Sequence, residues 1–129
     1  MFTFSNFLFV GIGAALGAWL RWILTYFFST LDPSLPHGTL AVNLIGGLLI
    51  GLTYAAMQSS AIEVSEELRL ILNVGFLGAL TTFSTYSLEI LHLFLRGEVI
   101  MAVIFTLLNV LGALLFCFLG WSLFNLFLK

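Results

Sequence analysis

Long apolar stretches, each sufficient to cross a lipid bilayer, are the feature that most constrains this chain. They cover about residues 4–28, 38–57, 68–95 and 99–128. A spanning helix needs about 20 mostly apolar residues, so 129 residues hold four spans with short connections and leave no room for a soluble domain. Lipid cannot hydrogen-bond the backbone, and the stretches lack the alternation of barrel strands. The sequence therefore predicts an all-α integral membrane protein in a single transmembrane domain.

The composition excludes several other classes of protein. Hydrophobic residues make up 61% of the chain and charged residues 8%, against about 45–50% and 25% in soluble domains. The net charge of −2 provides no basic surface for nucleic acid. One cysteine, Cys117, and two isolated histidines, His37 and His92, supply neither a disulfide nor a metal centre of side chains nor a catalytic set. We therefore expect no enzyme and no nucleic-acid partner.

Glycines at helical spacing predict closely packed helices. Gly13 and Gly17 form one GxxxG pair, and Gly47 and Gly51 form a second. Gly46 widens the smooth helix face that the second pair forms. Small residues at this spacing let helix backbones approach closely in lipid. So small a four-helix chain with such smooth faces is expected to oligomerise.

The positive charges do not specify an orientation in the membrane. With four spans, Arg69 and Lys129 fall on one side, whereas Arg96 and Arg21 fall on the other. Lys and Arg near the ends of spans set the orientation of a membrane protein. Since they are balanced here, either another factor sets the orientation or the chain inserts in both orientations. Insertion in both orientations would allow an antiparallel dimer.

Three polar residues stand out inside predicted spans, where polar groups are costly and suggest function. Arg21 is either buried for a role or extends to the interface beside Trp19 and Trp22. Asn43 and Asn109 are either functional donors and acceptors or simple hydrogen-bonding contacts between helices.

The third span carries the most informative segment. Six of the seven residues from Thr81 to Ser87 bear hydroxyls, and Gly75 and Gly78 precede them. Glycine and hydroxyl clusters weaken a helix, and hydroxyls can satisfy the backbone groups that a break frees. A broken helix inside a membrane exposes carbonyls that suit a small cation and N–H groups that suit an anion. We favour a break here over a continuous helix with hydroxyls bonded to the preceding turn.

Three segments resemble motifs of the Fluc (CrcB) family of fluoride ion channels. They are GFLGALTTFSTY at residues 75–86, GTLAVNLIG at residues 38–46 and GAALGAWLR at residues 13–21. The order of the motifs, the chain length and the number of spans extend the resemblance over essentially the whole chain.

The resemblance implies an antiparallel, dual-topology homodimer with two fluoride pores at the subunit interface, in the inner or plasma membrane of a microbe. Such a channel would let fluoride leave the cytoplasm down its electrochemical gradient. The resemblance also implies a structural Na⁺ on the dimer two-fold axis, held by the backbone carbonyls of Gly78 and Thr81. The expected partners are thus fluoride, a second copy of the chain and the lipid bilayer.

The resemblance further assigns residues to the pore. Phe83 and Tyr86 would be its aromatic lining, and Asn43 would donate a hydrogen bond to the ion. The remaining predicted pore residues are polar side chains along or beside the pathway: Thr39, Ser84, Thr85, Glu89 and Asn109. Arg21, Gly46 and Gly75 fall in the motifs as structural residues.

The chain departs from the family pattern at three positions. Tyr86 stands where phenylalanine is usual, and its O–H donor would deepen ion binding and slow exit. Ala79 replaces a common glycine and is expected to stiffen the break. Ala113 lies four residues after Asn109, where a hydroxyl is expected, so the fourth helix departs from the pattern there.

The alternative function is a small dual-topology, proton-coupled cation or drug exchanger. That class needs a carboxylate deep in the membrane, and the first span carries Arg21 instead. Glu89 in the third span is the one candidate. An assembly role without transport would leave the predicted break unexplained.

Overall fold

The computed structural model describes residues 2–59 and 63–127, and all regular structure within them is helical. Helix α1 is Phe4–Ser29, α2 is His37–Gln58, and the third span is Glu66–Leu95. The last long helix, α6, is Val99–Phe127. Each of the four is long and apolar enough to cross a membrane, which confirms the predicted all-α class with four spans. Leu128 and Lys129, at the predicted end of the fourth span, lie outside the described residues.

The third span consists of several segments. A short helix, α3 (Glu66–Arg69), leads into a π-helix at Leu70–Leu77 and then into α4 (Gly78–Leu80). After an interruption at residues 81–83, the span continues as α5 (Ser84–Leu95). The π-helix was not predicted from the sequence. It is a rare conformation that is frequent at functional sites.

The third span begins two residues earlier than the predicted boundary at residue 68. The Ser65 side chain accepts a hydrogen bond of 3.2 Å from the Leu68 N–H, as an N-cap does. Glu66 and Glu67 follow in the first turn, where their charge is favourable beside the N-terminal end of the helix dipole.

Glycines bring the helices into backbone contact, as the spacing predicted. A Cβ on Gly47 of α2 would lie 2.6 Å from the Ala113 carbonyl oxygen of α6, and one on Gly51 would collide with the Cys117 carbonyl. Gly13 and Gly17 play the same part between α1 and the third span. The chain therefore packs as two glycine-lined pairs, α1 with the first half of the third span and α2 with α6.

The connection between α1 and α2 is tied to the turn between α5 and α6. The Arg96 Nη2 atom donates to the Ser34 carbonyl at 2.9 Å and pairs with Glu98 Oε1 at 2.9 Å. In the same connection, hydrogen bonds from the hydroxyl and the N–H of Ser34 hold the pKa of Asp32 below its ordinary value. The two turns thus form one hydrogen-bonded end of the molecule.

Candidate functional site

The interruption of the third span lies where the hydroxyl cluster begins. Thr81 has an extended backbone, with φ −81° and ψ 158°, so the helical path stops there. Both its N–H, at 3.1 Å, and its hydroxyl, at 3.0 Å, donate to the Leu77 carbonyl. The Thr81 hydroxyl therefore supplements the last hydrogen bond before the break.

Asn43, on α2, hydrogen-bonds to both backbone groups of Thr82, which lies in the break. Its Oδ1 accepts from the Thr82 N–H at 2.9 Å, and its Nδ2 donates to the Thr82 carbonyl at 3.1 Å. Nδ2 also donates to Asn109 Oδ1 of α6 at 3.0 Å. A carboxamide has two N–H donors, so both are used by protein acceptors. The predicted donation from Asn43 to the ion stays a prediction and would require one of these bonds to open.

Thr82 starts the second half of the span. Its Oγ1 accepts from the Thr85 N–H at 3.2 Å and donates to Thr85 Oγ1 at 3.0 Å. The Thr85 hydroxyl acts as acceptor in that bond, so its own proton remains available. Ser84 and Thr85 are both exposed on the protomer, whereas the Ser87 hydroxyl donates back to the Phe83 carbonyl at 2.8 Å. The predicted donors Ser84 and Thr85 therefore face outward at the break.

The two predicted pore aromatics are in different environments. Phe83 is 75% exposed, whereas Tyr86 is 8% exposed and packs with Ile90 and Phe105 in a cluster between α5 and α6. The ring centroids of Phe83 and Tyr86 are 5.3 Å apart, with an angle of 57° between the ring planes. The fold brings these two rings into contact, but only the Phe83 ring projects from the protomer.

A groove of about 580 Å³ runs beside the break, between α2, the third span and α6. Its lining joins the predicted polar and aromatic residues to the glycine-rich face of α2. The residues that matter here are Asn43, Gly46, Gly78, Thr81, Phe83, Tyr86 and Asn109. The structure thus brings four of the eight predicted pore residues together along one open groove: Asn43, Phe83, Tyr86 and Asn109.

Thr39 and Glu89 form a separate pair. The Thr39 hydroxyl donates to Glu89 Oε1 at 2.7 Å, and Glu89 Oε2 is buried without a hydrogen-bond partner among the described residues. Glu89 also lines a smaller cavity of about 180 Å³ beside His92 and Arg96. The hydroxyl proton of Thr39 is therefore donated to the Glu89 carboxylate.

The backbone at the break fits the predicted sodium ligands. The Thr82 N–H, which would serve the Gly78 carbonyl in a continuous helix, donates to Asn43 instead. Likewise, the Thr85 N–H donates to Thr82 Oγ1 rather than to the Thr81 carbonyl. Carbonyls of unwound helix are the kind of ligand that Na⁺ takes inside membrane proteins. In residues 2–59 and 63–127, no three His, Cys, Asp or Glu side chains form a metal site.

The residues assigned a structural role lie around the same region. A Cβ on Gly46 would collide with Thr81 Cγ2, and one on Gly75 would lie 2.6 Å from the Val10 carbonyl oxygen. Arg21 is half-buried on α1. Gly46 and Gly75 therefore set how closely the third span approaches its neighbours.

Sequence reasoning missed Asn73, which lies in the π-helix and lines the groove. Its Nδ2 lies 3.5 Å from Met57 Sδ, and its Oδ1 is buried without a partner among the described residues. The signal was present, because Asn73 is a polar residue inside an apolar span like Asn43 and Asn109. It lies two residues before the motif that begins at Gly75.

Comparison with known proteins identifies the family of this chain. A family model described as CrcB-like protein, Camphor Resistance (CrcB), matches residues 8–121. A protein of Aromatoleum aromaticum named fluoride-specific ion channel FluC is 48% identical over 119 residues, covering 92% of this chain and 90% of its own length. A protein of the same name in Ralstonia pickettii is 45% identical over 116 residues, which cover 90% of this chain and 91% of that protein. The chain belongs to the CrcB family.

Proposed function

We propose that this protein is a fluoride-selective ion channel through which fluoride leaves the cytoplasm down its electrochemical gradient. It is a multi-pass protein of a bacterial membrane and a channel rather than an enzyme. The observation that carries the proposal is the interrupted third span, whose Thr82 backbone is hydrogen-bonded by Asn43 beside an open groove. Relatives with 45–48% identity that are named fluoride-specific channels support the choice of ion.

The exposed face of the break offers what a small, strongly hydrated anion needs. Fluoride must exchange water for donors without being held so tightly that it stays. The Ser84 and Thr85 hydroxyls are exposed at the break, and the positive edge of the Phe83 ring attracts an anion without a full charge. We assign first contact with the ion to these three residues, because Asn43 and Thr39 use their protons within the protein.

The pore is completed by a second, antiparallel copy of the chain, which gives a homodimer with two pores at its interface. Three observations support this assembly. Phe83 is 75% exposed, Gly78 at the break is exposed as well, and the positive charges are balanced between the two sides. A partner covering the groove and the exposed face of the break would enclose the exposed donors and the Phe83 ring away from lipid.

A structural Na⁺ on the two-fold axis would be held by the Gly78 and Thr81 carbonyls, which lack their helical N–H partners. The ion would supply positive charge that stabilises the break and the dimer. If it does, replacing Na⁺ by a large organic cation on both sides of the membrane lowers fluoride flux and loosens the dimer. Unchanged flux and dimer stability after thorough sodium removal would contradict this part of the proposal.

The test of function is fluoride efflux from liposomes that contain the purified protein, measured with a fluoride electrode, with chloride efflux measured in parallel. Fast fluoride release that requires valinomycin, with little chloride release, is the expected result for a selective electrogenic channel. Absence of fluoride release from folded protein would contradict the proposal. The exchanger alternative would then be tested through Glu89, whose buried Oε2 has no partner within the described residues.

A further inference from the structure

Asn109, on α6, is held by its own helix in one orientation. It is 5% exposed, and its Nδ2 donates to the Phe105 carbonyl at 3.0 Å. This bond directs its Oδ1 toward α2, where Oδ1 accepts from Asn43 Nδ2 at 3.0 Å. Asn109 thus offers Asn43 a fixed acceptor.

The orientation of the Asn43 carboxamide decides whether it can pair with the break. Only with Oδ1 toward the Thr82 N–H and Nδ2 toward the Thr82 carbonyl are both backbone groups satisfied. A flipped carboxamide would place donor against donor and acceptor against acceptor. Because Asn109 accepts from the remaining Nδ2 proton, it favours the orientation that fits the break.

We propose that Asn109 is a positioning residue, which sets the Asn43 carboxamide and through it the backbone of the break, rather than a residue that contacts the ion. Phe105 and Ala113, four residues before and after Asn109, carry no side-chain donor. The Thr106 hydroxyl donates to the Ala102 carbonyl at 2.8 Å, so the turns of α6 next to Asn109 do not extend a path of donors from it. The inference rests on the proposed fluoride conduction only for its flux measurement.

The flux test is a double-mutant cycle in liposomes with Asn109→Leu, Asn43→Ala and the double variant of the full chain. If Asn109 acts through Asn43, the double variant conducts fluoride within about twofold of Asn43→Ala alone, because contacting groups are non-additive. Each single variant is expected to conduct at least about threefold less than wild type, the effect of one hydrogen bond. Losses that multiply in the double variant would overturn the proposal.

The structural test is hydrogen exchange of the Thr82 amide, measured by NMR on the protein in lipid nanodiscs. Asn109→Leu is expected to speed this exchange about threefold to tenfold. Asn109→Asp keeps an acceptor for Asn43 Nδ2 and is expected to retain slow exchange. An unchanged Thr82 exchange rate in Asn109→Leu would overturn the proposal, as would equal acceleration in both variants.

These two measurements separate this inference from the proposed function. A wild-type protein that conducts no fluoride would contradict the channel, whereas the Thr82 exchange rates would still test the positioning role. A wild type that conducts, together with multiplied losses, would retain the channel and return Asn109 to a separate role at the pore.

Discussion

The contact between α2 and α6 and the break in the third span join neighbouring helices in two different ways. In the glycine seam, which we define as Gly47, Gly51 and Gly120, a carbonyl of one helix lies where a Cβ of the other would be. At the break, Asn43 reaches from α2 to the N–H and carbonyl of Thr82. The glycine seam depends on the absence of side chains, whereas the break depends on one specific side chain, that of Asn43.

The two regions are therefore sensitive to different kinds of substitution. The glycine seam contains intact helices whose hydrogen bonds are internal, so its stability depends on volume. The break has lost helical hydrogen bonds, so its stability depends on donors and acceptors supplied by Asn43 and Thr82. Gly46 lies where the two meet, since a Cβ there would collide with the Thr81 side chain. Substitutions in the two regions can therefore test volume in the glycine seam against chemistry at the break.

The largest effect is expected from Gly51→Leu in the glycine seam. A Cβ at Gly51 would collide with the Cys117 carbonyl, and a backbone atom cannot move aside as a side-chain tip can. Overpacking of well-packed sites costs about 1–3 kcal/mol or more, and we expect loss of folded protein. Size-exclusion chromatography in detergent measures the folded fraction.

Gly11→Leu is the matched control, because a Cβ there would have no atom within 4 Å apart from its chain neighbours and the nearby backbone of its own helix. It should give a normal yield of folded protein. A folded and stable Gly51→Leu variant would show that the glycine seam tolerates volume and would contradict the comparison.

The next largest effect is expected from Asn43→Asp, which changes chemistry at nearly constant volume. Oδ1 can still accept from the Thr82 N–H, but the second carboxylate oxygen would face the Thr82 carbonyl and Asn109 Oδ1, both acceptors. Leaving buried acceptors unpaired costs about 1–3 kcal/mol each. We expect fluoride flux to fall about 10- to 100-fold while the chain stays folded, as measured by liposome efflux.

Asn125→Asp, at the end of α6, makes the same substitution far from the break and should leave flux unchanged. Wild-type flux in Asn43→Asp would remove Asn43 from the functional site. It would also mean that the break does not depend on donors and acceptors in the way that the comparison requires.

A smaller loss, about tenfold, is expected from Phe83→Ile. The ring is 75% exposed on the protomer and contributes little to its core, so folding should not change. Fluoride would lose the positive ring edge, and aromatic geometry is worth about 0.5–1.5 kcal/mol beyond area. Fluoride efflux measures the loss. Phe118→Ile, at a ring that is 61% exposed on α6, is the control, and an equal effect of both variants would speak against a role for Phe83 in the pore.

The two regions also differ in how far the sequence predicts them. Four spans and two glycine pairs follow from local apolar length and spacing, and the structure has both. The hydroxyl cluster predicts where the third span is interrupted, because Gly78 and Thr81 weaken the helix locally. A local pattern was sufficient for these features.

The partners at the break could not be derived from a local pattern. Asn43, Thr82 and Asn109 lie on three helices, and their hydrogen bonds depend on the register between those helices. The π-helix at Leu70–Leu77 likewise begins before the motif, overlaps only its first three residues and carries no distinctive residue spacing. The sequence identifies Thr39 and Glu89 as polar, but their pairing within the protein is visible only in the structure.

The smallest effect, and the only gain, is expected from Tyr86→Phe. The ring is packed in the protomer and 8% exposed, so removing the hydroxyl should not disturb folding. If that hydroxyl donates to a passing ion, its removal weakens binding by about 0.5–1.5 kcal/mol, the net value of one hydrogen bond. Faster exit should raise fluoride flux about twofold to tenfold in the efflux assay, since about 1.4 kcal/mol corresponds to a factor of ten.

Tyr54→Phe is the control, because the Tyr54 hydroxyl accepts from Gln58 Nε2 one turn along α2 and lies far from the break. A rise in Tyr86→Phe alone would mean that the ion meets the Tyr86 hydroxyl, although most of that ring is buried. The pore would then run between the exposed ring of Phe83 and the buried ring of Tyr86, whose centroids are 5.3 Å apart. A fall in flux would instead indicate that the hydroxyl helps fluoride to shed water, since a donor that stabilises entry lowers the barrier rather than the exit rate.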